Sequence, residues 1–154
     1  MSVIIQGTQL REIALGRYLQ GKTSTLAGAA VHQLFTVAGG EVLITALWGK
    51  VTTALAGANT INLQTDPTTG DTVVIATATD LGTTDTAAGT TVGVTANTLV
   101  PATNLVKGGL PVGPIVVTTG EIESDVTGAG ADGVIQWFCT WVPLTAGATV
   151  VAAA

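Results

Sequence analysis

The chain has 154 residues, enough for one domain that buries about 68–70% of its unfolded surface. Ten acidic against five basic side chains give a net charge of −5, and the basic ones (Arg11, Arg17, Lys22, Lys50, Lys107) are scattered, which excludes a phosphate-binding stripe and with it direct nucleic-acid binding. A single cysteine, Cys139, excludes an internal disulfide and a multi-cysteine zinc site, and no apolar run is long enough to span a membrane.

The first residues, MSVIIQGTQLRE, lack the basic start and long apolar run of a signal peptide, so none is expected. The chain is 47% hydrophobic but only 10% charged. Between Thr52 and Thr119, Thr and Gly dominate, and the charged side chains are Asp66, Asp71, Asp80, Asp85 and Lys107. β-Branched Thr and Val favour strands, and Gly supplies the turns between them. A surface so poor in charge is unusual for a free monomer. The composition predicts an all-β building block whose faces are covered by other protein, and its residues name no reaction.

In chain order, residues 1–30 read as an N-terminal arm. Leu10, Ile13, Ala14 and Tyr18 fall at helical spacing and predict one short helix, which Thr8 could cap and which Gly16 and Gly21 weaken. Residues 31–154 read as one β-sandwich domain. Val31–Val37, Gly39-Gly40 and Glu41–Thr53 have the pattern of a hairpin with a Gly-Gly turn. In its second arm Leu43, Thr45, Leu47 and Val51 point one way and Val42, Ile44, Ala46 and Trp48 the other. Both faces are apolar, as in a strand covered on two sides. Thr60–Gln64 and Thr72–Thr79 flank a turn at Asp66–Asp71. A short strand at Thr91–Thr95 separates loops at residues 80–91 and 101–114. Ile115–Thr119, Glu121–Thr127, Val134–Val142 and an edge at Thr149–Ala152 complete an antiparallel sandwich or jelly roll.

Several patterns have a chemical look. Gly16–Thr23 matches GxxxxGK[ST], yet a phosphate loop needs a buried strand before it and strand–helix alternation after it, and this sequence has neither. It leaves a small nucleotide-binding protein as a remote alternative. Gly128–Gly133 matches GxGxxG but leads into Val134–Trp141, which is strand-like, so it reads as a glycine turn. Glu121, Glu123 and Asp125 share one strand face, spaced too widely for one calcium ion without loop ligands. Ile135, Trp137, Cys139 and Trp141 form an apolar face in which Cys139 reads as a small buried hydrophobe. His32 is the one histidine, with no Ser or Cys nearby in sequence to suggest a triad. No catalytic, cofactor or metal residues are assigned, and no small-molecule substrate is implied. The candidate contact residues are Trp48, Val42 and Ile44, from the strand apolar on both faces, with Arg11 and Arg17 from the arm.

Leu34–Thr45, Gly49–Thr53, Pro67–Gly70, Gly120–Ile122, Trp137–Leu144 and Ala146–Ala148 together resemble small virion structural proteins of tailed double-stranded DNA bacteriophages, over about residues 31–151. The resemblance implies a non-enzymatic capsid decoration, or cement, protein, a homotrimer with a β-sandwich or jelly-roll core. It would sit on the virion's capsid surface with the major capsid protein as partner, after synthesis in the host cytoplasm. A tail or head-fibre component is the alternative, favoured if the Thr/Gly loops at residues 80–114 form an exposed tip.

Overall fold

The computed structural model describes residues 7–82, 86–95, 98–102, 114–128 and 131–154. Asp85, Lys107 and the Ala129-Gly130 turn, with most of the 101–114 loop, lie outside the described residues. One helix, α1 (Gly7–Leu15), is followed by β1 (Arg17–Ala27), β2 (Ala30–Ala38), β3 (Val42–Thr53), β4 (Thr60–Pro67) and β5 (Val73–Asp80). Then come β6 (Thr91–Thr95), β7 (Thr98–Ala102), β8 (Ile115–Val117), β9 (Gly120–Thr127), β10 (Ala131–Pro143) and β11 (Thr149–Ala152). The fold is all-β, as the composition predicts.

The strands follow the order β1-β10-β3-β6-β7-β5-β4-β9-β2-β11, with β8 beside β3. Every pairing is antiparallel except the single contact of Thr77 in β5 with Thr98 in β7. The ends of this order nearly meet, because β1 lies against β2 and β11, so the sheet is a sandwich-like barrel almost closed on itself. His32 Nε2 lies 2.9 Å from the Thr25 carbonyl across that seam, and the Lys22 ammonium donates to the Ala154 carbonyl oxygen. Inside, Trp137, Phe35, Leu26, Leu34, Ile44, Leu47, Ile61, Leu63 and Ile122 are fully buried. Each such side chain contributes about 1.5–3 kcal/mol of hydrophobic stabilisation.

Two expectations are corrected here. The boundary at residue 30 falls inside the sheet: residues 17–27 form β1, paired with β10 from Arg17↔Trp141 to Ala27↔Ala131. Leu26 and Ser24 are buried, and the Ser24 hydroxyl accepts the Trp137 indole N–H at 2.7 Å. Only α1 projects, and it ends where Gly16, at φ +82°, donates its N–H to the Glu12 carbonyl. That is a left-handed helix stop, with no room for a Cβ against the Trp141 carbonyl 2.8 Å away. Tyr18 consequently lies on a strand.

The second correction concerns Gly39-Gly40. β2 and β3 do not pair: β2 joins β9 and β11, while β3 joins β10, β6 and β8. The glycines carry the chain across from one layer to the other. They pack against the 144–148 turn, where the amides of Leu144 and Thr145 donate to the Glu41 carbonyl and the Glu41 amide donates to the Thr145 hydroxyl. A side chain at Gly39 would meet the Gly147 carbonyl at 2.8 Å.

Candidate functional site

The layer built by β1, β10, β3, β6 and β8 turns one face to the core and one outward. Strand periodicity assigns the sides, and β-bulges in β3 shift the phase part-way along. Trp141 pairs with Ile44 but Thr140 pairs with Ala46, so Thr45 is the extra residue. Val42 and Ile44 point inward before the bulge; Leu47, Gly49 and Val51 point inward after it. The alternation that made both faces of this strand look apolar is one inward face read across a phase change. Val42 and Ile44, with 0% and 1% exposure, are core residues and not contacts for another protein, which corrects their assignment.

Trp48 differs. It lies after the bulge, faces out, and is half-buried among two other aromatic rings. The ring centroids of Trp48 and Phe138 are 5.7 Å apart, those of Phe138 and Tyr18 are 6.1 Å apart, and those of Tyr18 and Trp48 are 6.2 Å apart. Cross-strand register explains the cluster: Phe138 on β10 faces Trp48 on β3 and Gln20 on β1, and Tyr18 lies one outward position along. Tyr18 is 61% exposed. Leu43, Val142 and Val116 form a second outward apolar row, and Val100 on β7 extends the first. Two charged side chains are exposed beside these rows among the described residues, Lys50 on β3 and Lys22 on β1. Arg17 is exposed at the margin, its guanidinium 5.2 Å from the centre of the Trp141 ring, and Arg11 is exposed on α1.

Tyr18 and Phe138 escaped the sequence reading, Tyr18 because helical spacing claimed it. Phe138 alternates with Gln136 and Thr140 on the polar side of β10, and a lone aromatic there was the available signal.

The opposite layer is chemically different. Glu121, Glu123 and Asp125 share the outer face of β9, as their spacing predicts, beside Asp66 at the end of β4. Neutral donors hold two of them: the Thr36 hydroxyl reaches Glu121 Oε2 at 2.9 Å, and the Gln64 amide reaches Oε2 of the buried Glu123 at 3.2 Å. The Thr72 hydroxyl reaches Asp66 Oδ1 at 3.1 Å. An open cleft of about 650 Å³ at the seam is lined by Lys22, Thr23, Val31, His32, Gln33 and Glu123. No group of three or more His, Cys, Asp or Glu among the described residues could hold a metal ion.

The remaining candidates are structural. Cys139 is buried, and burial pushes its thiol up to about 12, so it is not a nucleophile at neutral pH. Gly16–Thr23 is a helix stop followed by a strand, the reverse of the order a phosphate loop requires, and Gly21 is buried beneath the Phe35 ring. Asp132, in the glycine turn, accepts the Ala56 amide at 2.7 Å and ties the 56–59 segment to β10. Burial alone would raise its pKa, but hydrogen bonds from Ala56, Gly57, Asn59 and Gly133 outweigh this and hold it below its ordinary value. Set against known protein families, curated proteins and solved structures, the chain shows no match.

Proposed function

We propose that the chain is a non-enzymatic capsid decoration protein of a tailed bacteriophage, a homotrimer that binds the outside of the head and reinforces contacts between major capsid subunits. The observation that carries this reading is the outer face around Tyr18, Phe138 and Trp48. An aromatic surface with few charges, on a chain that is 10% charged, is suited to protein contact, since interface cores gain aromatic residues and lose charged ones. The acidic layer on the other side supplies the solvated surface that keeps such a particle dispersed. The likeness of residues 31–151 to small virion structural proteins gives the contact its setting.

The test is addition of purified protein to undecorated heads, followed by sedimentation and counting of bound copies by mass spectrometry. The reading requires hundreds of copies per particle and a higher temperature of head disruption. A few dozen copies or fewer in native virions would move the protein to the tail or a head fibre, and no binding to heads would refute decoration.

A further inference from the structure

A further apolar surface with no partner among the described residues is a stripe on α1. Leu10 and Ile13 are 59% and 71% exposed, and with Ala14 they form one stripe along the helix at i, i+3 and i+4. Every residue of α1 whose side chain is described is exposed, so the helix does not pack on its own barrel. One residue, Gly16, joins it to β1, and the left-handed turn there is fixed against the Trp141 carbonyl. A one-residue link of set geometry leaves α1 no slack to fold back over the face that begins at Tyr18.

We propose that α1 of each copy lies on the aromatic outer face of a second copy, with Leu10 and Ile13 against Tyr18, Trp48 and Phe138. This rests on the decoration reading and names the contact that would build its oligomer. The dimensions agree: the five-strand path β1-β10-β3-β6-β7 at about 4.8 Å spacing makes a face about 19 Å wide, which holds a helix about 10 Å across. The rings also offer a place for a cation. Around the helix Arg11 flanks the apolar stripe at about 100° per residue, while Glu12 lies on the far side, toward solvent. A guanidinium at the margin of an aromatic cluster that has no acid among its described outward neighbours is held by the ring faces, as Arg17 already is over Trp141. One helix of nine residues is about 13 Å long and covers too little for a stable contact of about 1,200 Å² in total. A closed ring in which each copy gives one helix and receives another multiplies that contact around the ring, and three copies suffice to close it.

Light scattering at about 100 µM tests this on the full chain and on two variants, Ile13→Asp and Trp48→Asp, with circular dichroism as the check of folding. Ile13 is exposed, so its variant tests the contact even where Trp48→Asp loses stability. The full chain is expected at three times the chain mass and both variants at one. A full chain of single mass, or an oligomer that survives Ile13→Asp with its fold intact, overturns the proposal. Head binding of the same samples separates the two claims. A monomer that still saturates heads refutes helix exchange and leaves decoration standing, whereas a helix-dependent oligomer that ignores heads does the reverse.

Discussion

The two outer layers of this barrel are built from the same kind of strand and finished in opposite ways. On β9 and β4 the outward positions carry Glu121, Asp125, Asp66 and the buried Glu123, with exposed Val31, Val74 and Val151 on the neighbouring strands. On β1, β10 and β3 the corresponding positions carry Tyr18, Phe138 and Trp48, with Lys50 and Lys22 the exposed charges beside them. The inner faces of both layers belong to one core, so the difference lies outside what the core requires. It makes the aromatic layer the better suited of the two to a protein contact. Exposed aromatic rings on a chain with few charges lower its solubility, and such a surface persists when another protein covers it.

The largest expected effect concerns β1, which supplies Tyr18 to the aromatic face and Leu26 to the core. Deleting residues 1–24 removes most of a strand paired along β10 and should abolish the β-sheet signal in circular dichroism. Deleting residues 1–15 removes α1 with the residues before it, leaves β1 whole, and should leave that signal and the melting temperature nearly unchanged. A folded 25–154 chain would show that β1 is an accessory to the barrel.

Within β3 the comparison sharpens to residues four apart. Ile44→Ala should cost about 2–5 kcal/mol in denaturant unfolding, as for a buried aliphatic side chain. Trp48→Ala should cost less, about 0.5–1.5 kcal/mol for each lost ring pair, and should act chiefly on assembly. Equal losses of stability would mean the bulge at Thr45 is misassigned and Trp48 belongs to the core.

Two buried serines make a finer pair. Ser24→Ala leaves the Trp137 indole N–H without its acceptor and should destabilise by about 1–3 kcal/mol. Ser124 is buried on the inner side of β9 and its hydroxyl makes no hydrogen bond among the described residues, so Ser124→Ala should be neutral or stabilising in the same unfolding assay.

The smallest effects are pH-dependent. Asp132 has a lowered pKa, so its contribution is complete above the ordinary carboxylate pKa of about 3.9 and is lost as pH falls through the lower folded value. Asp132→Asn should therefore flatten the acid limb of the stability curve by no more than about 1 kcal/mol, because the group is largely solvated. Cys139 acts at the other end. Its raised pKa makes its contribution complete below about pH 8.5 and lost progressively as pH rises toward 12. At pH 8 a thiol reagent should leave it unmodified until the chain is unfolded; rapid labelling of the native protein would contradict its burial.

Much of this molecule was legible from local chemistry. β-Branched runs bounded by Gly, Pro and Asp gave β4, β5, β6, β9, β10 and β11 close to their true limits, and period two put the β9 carboxylates on one face. The failures have a common cause, which is information that lies far away in sequence. β1 sets the exposed Arg17 over the core residue Trp141 and carries exposed Lys22 beside a bulge at Gly21, so its alternation is broken, and only its pairing with β10 defines it. The face assignment of Val42 and Ile44 failed at the Thr45 bulge, which exists relative to β10 and has no mark in β3 alone. Gly39-Gly40 had the chemistry of a hairpin turn, but the 144–148 turn against which it packs sends β3 to the other layer. The aromatic cluster joins residues 18, 48 and 138, and one member of it, Trp48, stood out beforehand.

The central claim, that the aromatic face is covered in the working state, has a direct optical test. Trp137 and Trp141 are buried at 0% and 5% exposure, so Trp48 is the indole that iodide can quench in an isolated chain. In the assembled oligomer or on heads, the quenchable fraction of tryptophan fluorescence should fall nearly to zero, and dilution to the monomer should restore it. Equal quenching of Trp48 in the isolated and the assembled states would contradict the account.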